Sequence, residues 1–403
     1  MNVLFVAARF PFPPDRGDRI SSHHFIRALS RQHRVTLAAF LDGTELPGVV
    51  DAMRPMCERI EAVRLPRSVS WRQALVGLAS QQPSQVSYYH SPLMHERISA
   101  LIAHHRPDAI VAHMFRVAPF VANLEHPVKV QFMGDSLALS LRRSVPFHPL
   151  WKRPAVAWEA HRVADFEPRI AASFRENWVL SDVDKHDLEV RGAPRVRMVR
   201  QGVDETLFDL ELTTPPAPRV LFLGNLSVPH NIDAALRLVR KIWPRVRASR
   251  PDATLELAGA DPTPALLALH GRDGISVPGA LPDLRPVWRR ASVMLAPLRF
   301  SAGIQNKILE AMAAGVPVVT TPAAAEAILA EHGKHLRVAV DDAGLAAATL
   351  EALEAGELDR PMRLAAREHV RTHFSWQALV LRLEELAIEP APGSAEPRRS
   401  QGV

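Results

Sequence analysis

The chain has 403 residues, 47% apolar and 23% charged, a balance that excludes a disordered or fibrous protein and leaves room for two domains of ordinary size. Its one cysteine, Cys57, excludes an internal disulfide, and no uncharged apolar run reaches the roughly 20 residues that span a bilayer. The formal charge of +6 lies in the first half: residues 1–205 hold 27 Lys and Arg against 21 Asp and Glu, and residues 206–403 hold 22 of each. That excess admits an anionic lipid surface, a phosphorylated acceptor or nucleic acid, or simply a solvated face. No helix-turn-helix, aromatic platform or zinc pattern supports nucleic acid, which is expected to be absent as a partner.

The run NVLFVAA at 2–8 is continuously apolar, as in a parallel strand buried on both faces. With no basic stretch before it, it reads as a strand and not as a signal peptide. The proline-rich loop RFPFPPDRGDR follows, with Gly17 at the head of a helix expected over 20–32. Further strands are expected at 35–40, 60–65, 108–112, 128–133, 177–181 and 196–200. Tyr88 and Tyr89, the two tyrosines, are expected to be partly buried. The histidines between 90 and 113 show no metal-ligand spacing. His113 ends a strand, where ligands bind in open α/β sheets; a structural histidine is the alternative. Asp135 ends the next strand in Gly134-Asp135-Ser136. It is the best carboxylate in this half for orienting a sugar or an acceptor, or else a cap on the following helix.

After Gln201-Gly202-Val203-Asp204 comes a linker containing TTPPAPR. The chain then starts again: RVLFLG at 219–224 echoes NVLFVA at 2–7, so two Rossmann-type units in tandem are expected. The boundaries are 1–205, 206–375, a last helix over 376–388 capped by Ser375, and a disordered tail over 389–403. Strands are expected at 253–259, 275–279, 293–296, 318–320 and 336–339.

The most informative stretch is Met294–Val319, MLAPLRFSAGIQNKILEAMAAGVPVV. It reads as strand, loop, helix, turn, strand. Ser301-Ala302-Gly303 opens a helix that runs from Ile304 to Ala314, with Gly315 as its C-terminal cap and Pro317 beyond. Free amides at a helix start, with Arg299 and Lys307 beside them, make an anion site. Glu310 is the one acidic residue on this apolar helix.

The pattern Lys307-x-x-Glu310-Ala-Met-Ala-x-Gly315-x-Pro317-Val-Val resembles the nucleotide-sugar motif of family 4 glycosyltransferases, retaining enzymes of the GT-B fold. The resemblance implies an α/β protein with two Rossmann-like domains facing across a cleft and a C-terminal helix crossing back to the first. It places Glu310 on the ribose hydroxyls, and Gly303, Ile304 and Gly17 near the diphosphate. His113 and Asp135 would contact the sugar or assist acceptor deprotonation. Asn225 and His230 stand where many members carry an Arg and a Lys, so Arg299 and Lys307 are expected to meet the phosphate charge instead. Ala302 stands where the family has a second Glu. The loop Gly224–Asn231 resembles a subgroup linked to bacterial exopolysaccharide synthesis. The implied activity is metal-independent sugar transfer from a UDP- or GDP-type donor to a glycan or lipid-linked acceptor, with no further cofactor. The implied setting is cytoplasmic, with peripheral contact at the inner membrane surface. A sugar-nucleotide epimerase of the same fold and a non-catalytic partner of another transferase are the alternatives.

Overall fold

The computed structural model describes residues 1–14, 17–45, 47–281, 283–299 and 304–389. Their strands form two sheets, parallel throughout. The first contains β1 (Asn2–Ala7), β2 (Arg34–Leu41), β3 (Arg59–Arg64), β4 (Ala109–His113), β5 (Lys129–Gly134), β6 (Glu176–Val179) and β7 (Val196–Met198), in the order β3-β2-β1-β4-β5-β6-β7. The second contains β8 (Arg219–Leu223), β9 (Thr254–Ala258), β10 (Ile275–Gly279), β11 (Val293–Ala296), β12 (Val318–Thr320) and β13 (Arg337–Val338), in the order β10-β9-β8-β11-β12-β13. The continuous apolar runs explain this. All of β4 and β11 is buried, as is β1 beyond Asn2, because helices cover both faces. In each sheet the strand order reverses once, between β1 and β4 and between β8 and β11. The crevice outside the carboxyl ends at such a reversal is where open α/β sheets bind ligands.

The last helix, Trp376–Ile388, crosses back as expected. Trp376, Leu379, Val380, Leu383 and Leu386 share a core with Phe25, Ile26 and Leu29 of the helix Gly17–Ser30. Burying each such side chain contributes roughly 1.5–3 kcal/mol, which fixes the helix to the first sheet. Its start also meets the linker. Trp376 Nε1 donates to the Val203 carbonyl at 3.1 Å, and a Cβ on Gly202 would lie 2.4 Å from the Trp376 ring. Glycine is therefore required there by close approach. Ser375 caps the helix by accepting from the Gln377 amide, as expected.

Two boundaries differ in ways that matter. The first-domain helix begins at Gly17 itself. The helix of the Met294–Val319 stretch begins at Asn306, because Gln305 is extended (φ −97°, ψ 96°). Ile304 therefore precedes the helix and does not belong to its first turn. Gly315 takes the left-handed conformation (φ 72°), and Val316 N–H returns to the Ala311 carbonyl at 2.8 Å, the expected C-terminal cap. Ser301, Ala302, Gly303 and the tail from 390 lie outside the described residues.

Candidate active site between the two sheet edges

On the second sheet, the helix Asn306–Ala314 follows β11, and its first turn sits at the strand-order reversal. Lys307 is turned inward and 8% exposed. Its Nζ lies 5.0 Å from the centre of the Phe222 ring and donates to Asn231 Oδ1. Asn231 is fixed in turn, its Nδ2 donating to the Asn225 carbonyl at 2.9 Å. Gly224 leaves room for it, since a Cβ there would lie 2.9 Å from Asn231 Nδ2. Burial, opposed by Glu310, brings the Lys307 ammonium down to about 7. Burial and then the neighbouring Asp204 push the half-buried Glu310 carboxyl up to about 7, against the pull of Lys307. Among the described residues, none donates a hydrogen bond to Glu310.

The structure shows how the other expected donor-side residues are engaged. Arg299 does not face a ligand as an unpaired charge: its guanidinium grips Asp233 through Nε (2.8 Å) and Nη2. The two residues are 66 positions apart in the sequence. His230 stays neutral at pH 7, because burial and the adjacent Lys307 bring it down to about 4. Asn225 spends its side chain on its own loop, accepting from the Ser227 amide at 2.9 Å and hydroxyl at 2.6 Å. Its part is to hold Asn231 through its carbonyl. Among the described residues, Lys307 is thus the buried cation of this edge. Asn231, which positions it, was marked in the sequence only as the end of the loop Gly224–Asn231. Gly303 lies outside the described residues.

On the first sheet, His113 ends β4 and is 1% exposed. It is stacked between Phe5 (5.6 Å) and Phe132 (5.1 Å), and its Nε2 meets Ser21 Oγ at 3.0 Å. Burial, partly opposed by Asp18, brings it down to about 4, so it is a neutral imidazole. Asp18, in the first turn after Gly17, pairs with Arg9 at 2.9 Å and lies 3.9 Å from Arg116. Burial alone would raise it; Arg9, Arg116, His113 and Arg19 together hold it below the usual carboxylate range. A Cβ on Gly17 would meet nothing within 4 Å, so open space adjoins the chain there.

Asp135 follows β5 and is half-buried. Burial and then Asp184 push it up to about 6, with Arg116 opposing. The cap role falls to Ser136, whose hydroxyl accepts from the Leu139 amide at 3.2 Å. Asp135 is therefore not consumed by capping. A buried network fixes the turn behind it. Ser136 N–H donates to Asp184 at 3.0 Å, Leu137 N–H donates to Glu167 at 2.8 Å, and Arg191 binds both Glu167 and Asp187 at 2.7 Å. Asp18 and Arg116 are the site residues that the sequence did not single out; each stands within three positions of one that it did, Gly17 and His113.

The edges approach each other. Gln201 Nε2 of the first unit donates to Asn306 Oδ1 of the second at 2.5 Å. A cavity of about 680 Å³ opens between the halves. Arg9, Trp71, Tyr88 and Tyr89 line it from the first, and Ser227 and Asp261 from the second. Tyr89 is buried and packs edge-on to Tyr88 with ring centres 5.0 Å apart. Among the described residues, no group of three or more His, Cys, Asp or Glu is arranged to hold a metal.

Comparison with known proteins agrees with this architecture. Residues 217–355 match the family model described as glycosyl transferases group 1. The chain is 24% identical to glycogen synthase of Mycobacterium tuberculosis over 305 residues, covering 73% of this chain and 71% of that protein. Its fold is similar to that of Anabaena HepE in complex with UDP-glucose, at a TM-score of 0.64 and 15% identity over 96% of this chain and 98% of that one. It is also similar to sucrose-phosphate synthase from Thermosynechococcus elongatus, at a TM-score of 0.67 and 16% identity over 96% and 98% of the two chains. The fold is that of the GT-B glycosyltransferases, and the group 1 domain on its second half supports a glycosyltransferase.

Proposed function

We propose that the protein transfers a sugar from a nucleoside-diphosphate-sugar to an acceptor hydroxyl across the cleft. The carrying observation is the Lys307–Glu310 pair on one helix at the second sheet's strand-order reversal. A cation and a carboxylate three residues apart lie on the same face. Glu310 then accepts from the ribose hydroxyls while Lys307 and the helix start face the diphosphate. As the glycosidic bond to phosphate breaks, negative charge grows on the leaving diphosphate, and Lys307 meets it in a site shielded from water. An approaching diphosphate favours the charged ammonium, so Lys307 is protonated when donor is bound.

His113 and Asp135 face this from the first sheet. A neutral imidazole offers the sugar a hydrogen-bond partner without competing for the phosphate charge. Asp135, raised to about 6, is ionised at neutral pH yet basic enough to draw a proton from an acceptor hydroxyl. The solved complex of HepE with UDP-glucose supports a UDP-type donor. Retention of configuration, independence of metal and a glycan or lipid-linked acceptor of the cell surface or exopolysaccharide complete the reading by family resemblance. A thermal-shift screen against UDP-, GDP-, ADP- and dTDP-sugars tests it. Stabilisation by one class is expected, and stabilisation by none refutes the enzyme reading. Turnover of that donor without acceptor, giving an epimer, favours the epimerase alternative.

A further inference from the structure

The helix Arg67–Gly77 is packed with its small side chains inward. It buries Ser70, Ala74 and Gly77 and turns Trp71, Leu75 and Val76 outward at 63%, 66% and 70% exposure, with Leu78 beyond its end at 44%. A Cβ on Gly77 would lie 2.2 Å from Ser87 Oγ, so the helix sits tightly on the helix Ser84–Tyr88. The large residues are thus held out by a well-packed inner face. Beside it runs the start of the helix Arg153–Ala171. Arg162 donates to the carbonyls of Gly77 (2.8 Å) and Ser80 (3.0 Å), and Glu159 accepts from the Ser84 amide (2.7 Å). That neighbour adds Trp158 at 46% exposure, with Leu150 and Trp151 at 75% and 76% just before it. Three of the chain's seven tryptophans, Trp71, Trp151 and Trp158, therefore stand exposed along these two neighbouring segments.

Residues 67–95 and 136–158 contain no Asp or Glu. Of their six cations, Arg67 pairs with Asp42, Arg142 pairs with Asp187 and Arg153 donates to the His148 and Pro146 carbonyls, which leaves Arg72, Arg143 and Lys152. Arg72 and Lys152 make no ion pair with any described residue, and Lys152 lies over the Trp151 ring at 4.8 Å. Both segments leave the carboxyl edge of the first sheet, after β3 and β5. Trp71 also lines the cavity between the halves.

We propose that this face docks on an anionic lipid bilayer and brings the cavity to acceptors held at that surface. Exposed tryptophans favour the interface between headgroups and acyl chains, and unpaired cations meet the anionic headgroups. A protein partner would be equally served by the apolar residues alone; the cations without an ion pair beside exposed tryptophans, Arg72 next to Trp71 and Lys152 over Trp151, favour the bilayer. The inference rests on the glycosyl-transfer reading only for its acceptor; binding to lipid is measured apart from turnover.

Co-sedimentation of the full chain tests it, with vesicles of phosphatidylcholine alone or containing about one third phosphatidylglycerol. The expected result is partition to the anionic vesicles only, weakened as salt rises from about 0.05 to about 0.5 M. Leu75→Ser with Val76→Ser should weaken it about tenfold, and so should Arg72→Glu with Lys152→Glu. Unchanged thermal shift by nucleotide-sugar in both variants shows that they fold. Absence of binding to anionic vesicles overturns the proposal. So does equal binding by both variants, or self-association of the wild type that the Leu75/Val76 variant abolishes.

Discussion

The two sheet edges share a strand order and differ in how they hold charge. On the first, Asp18, Arg9 and Arg116 compensate one another around a neutral His113, and a network from Ser136 to Arg191 fixes the turn that carries Asp135. On the second, Arg299 is tied to Asp233, His230 is neutral, and Lys307 is steadied by an uncharged amide. One edge therefore offers a carboxylate and a neutral ring, and the other a buried cation beside a carboxylate. On the proposed function the same topology serves opposite tasks: the second edge receives an anion, and the first a hydroxyl.

The difference between the edges depends most on Lys307. Lys307→Ala should lower donor-dependent turnover by about 10²–10³-fold, the scale of one lost transition-state partner, as measured by steady-state rates; a loss under tenfold would move the phosphate elsewhere. Asp135→Asn should lower kcat by about 10²-fold, the scale of one general base. Donor affinity should stay intact in that variant; a parallel loss of affinity would place Asp135 on the donor side. Gly202→Ala, at the crossing between the units, should cost about 1–3 kcal/mol through its clash with Trp376, read as a fall in Tm.

The pH dependence sharpens the contrast. On the proposed function donor binding uses protonated Lys307 and ionised Glu310, both brought to about 7 by burial. Affinity should fall below pH 7 as Glu310 gains a proton, and above it as Lys307 loses one, in steps that belong to the pair. A profile flat from about pH 5.5 to about 8.5 would contradict this. The smallest effect is expected at Arg299. Because Asp233 already takes its charge, Arg299→Ala should change donor affinity by less than about threefold, the scale of an exposed ion pair.

The fold was largely legible from residues. Continuous apolar runs marked the strands of both sheets, the echo of NVLFVA in RVLFLG marked the second unit, and Gly315 with Pro317 marked the end of the Lys307 helix. Its beginning was not legible, because the extended Gln305 is set by tertiary packing and not by propensity. Pairings over long separations were also hidden. Arg299 meets Asp233, Lys307 meets Asn231 and Arg116 approaches Asp18 only when strands far apart in sequence bring their ends together. The reversed helix Arg67–Gly77 was hidden for a related reason: periodicity shows which residues share a face, not which face turns inward.

On the proposed function the donor nucleotide lies on the helix Asn306–Ala314. Calorimetric titration of the nucleotide-sugar that most stabilises the wild type, repeated on Glu310→Ala, tests this most directly. Saturable binding by the wild type is expected, with a loss of at least about tenfold in the variant, the scale of two hydrogen bonds to a charged group. Equal affinity in a folded Glu310→Ala protein would contradict it.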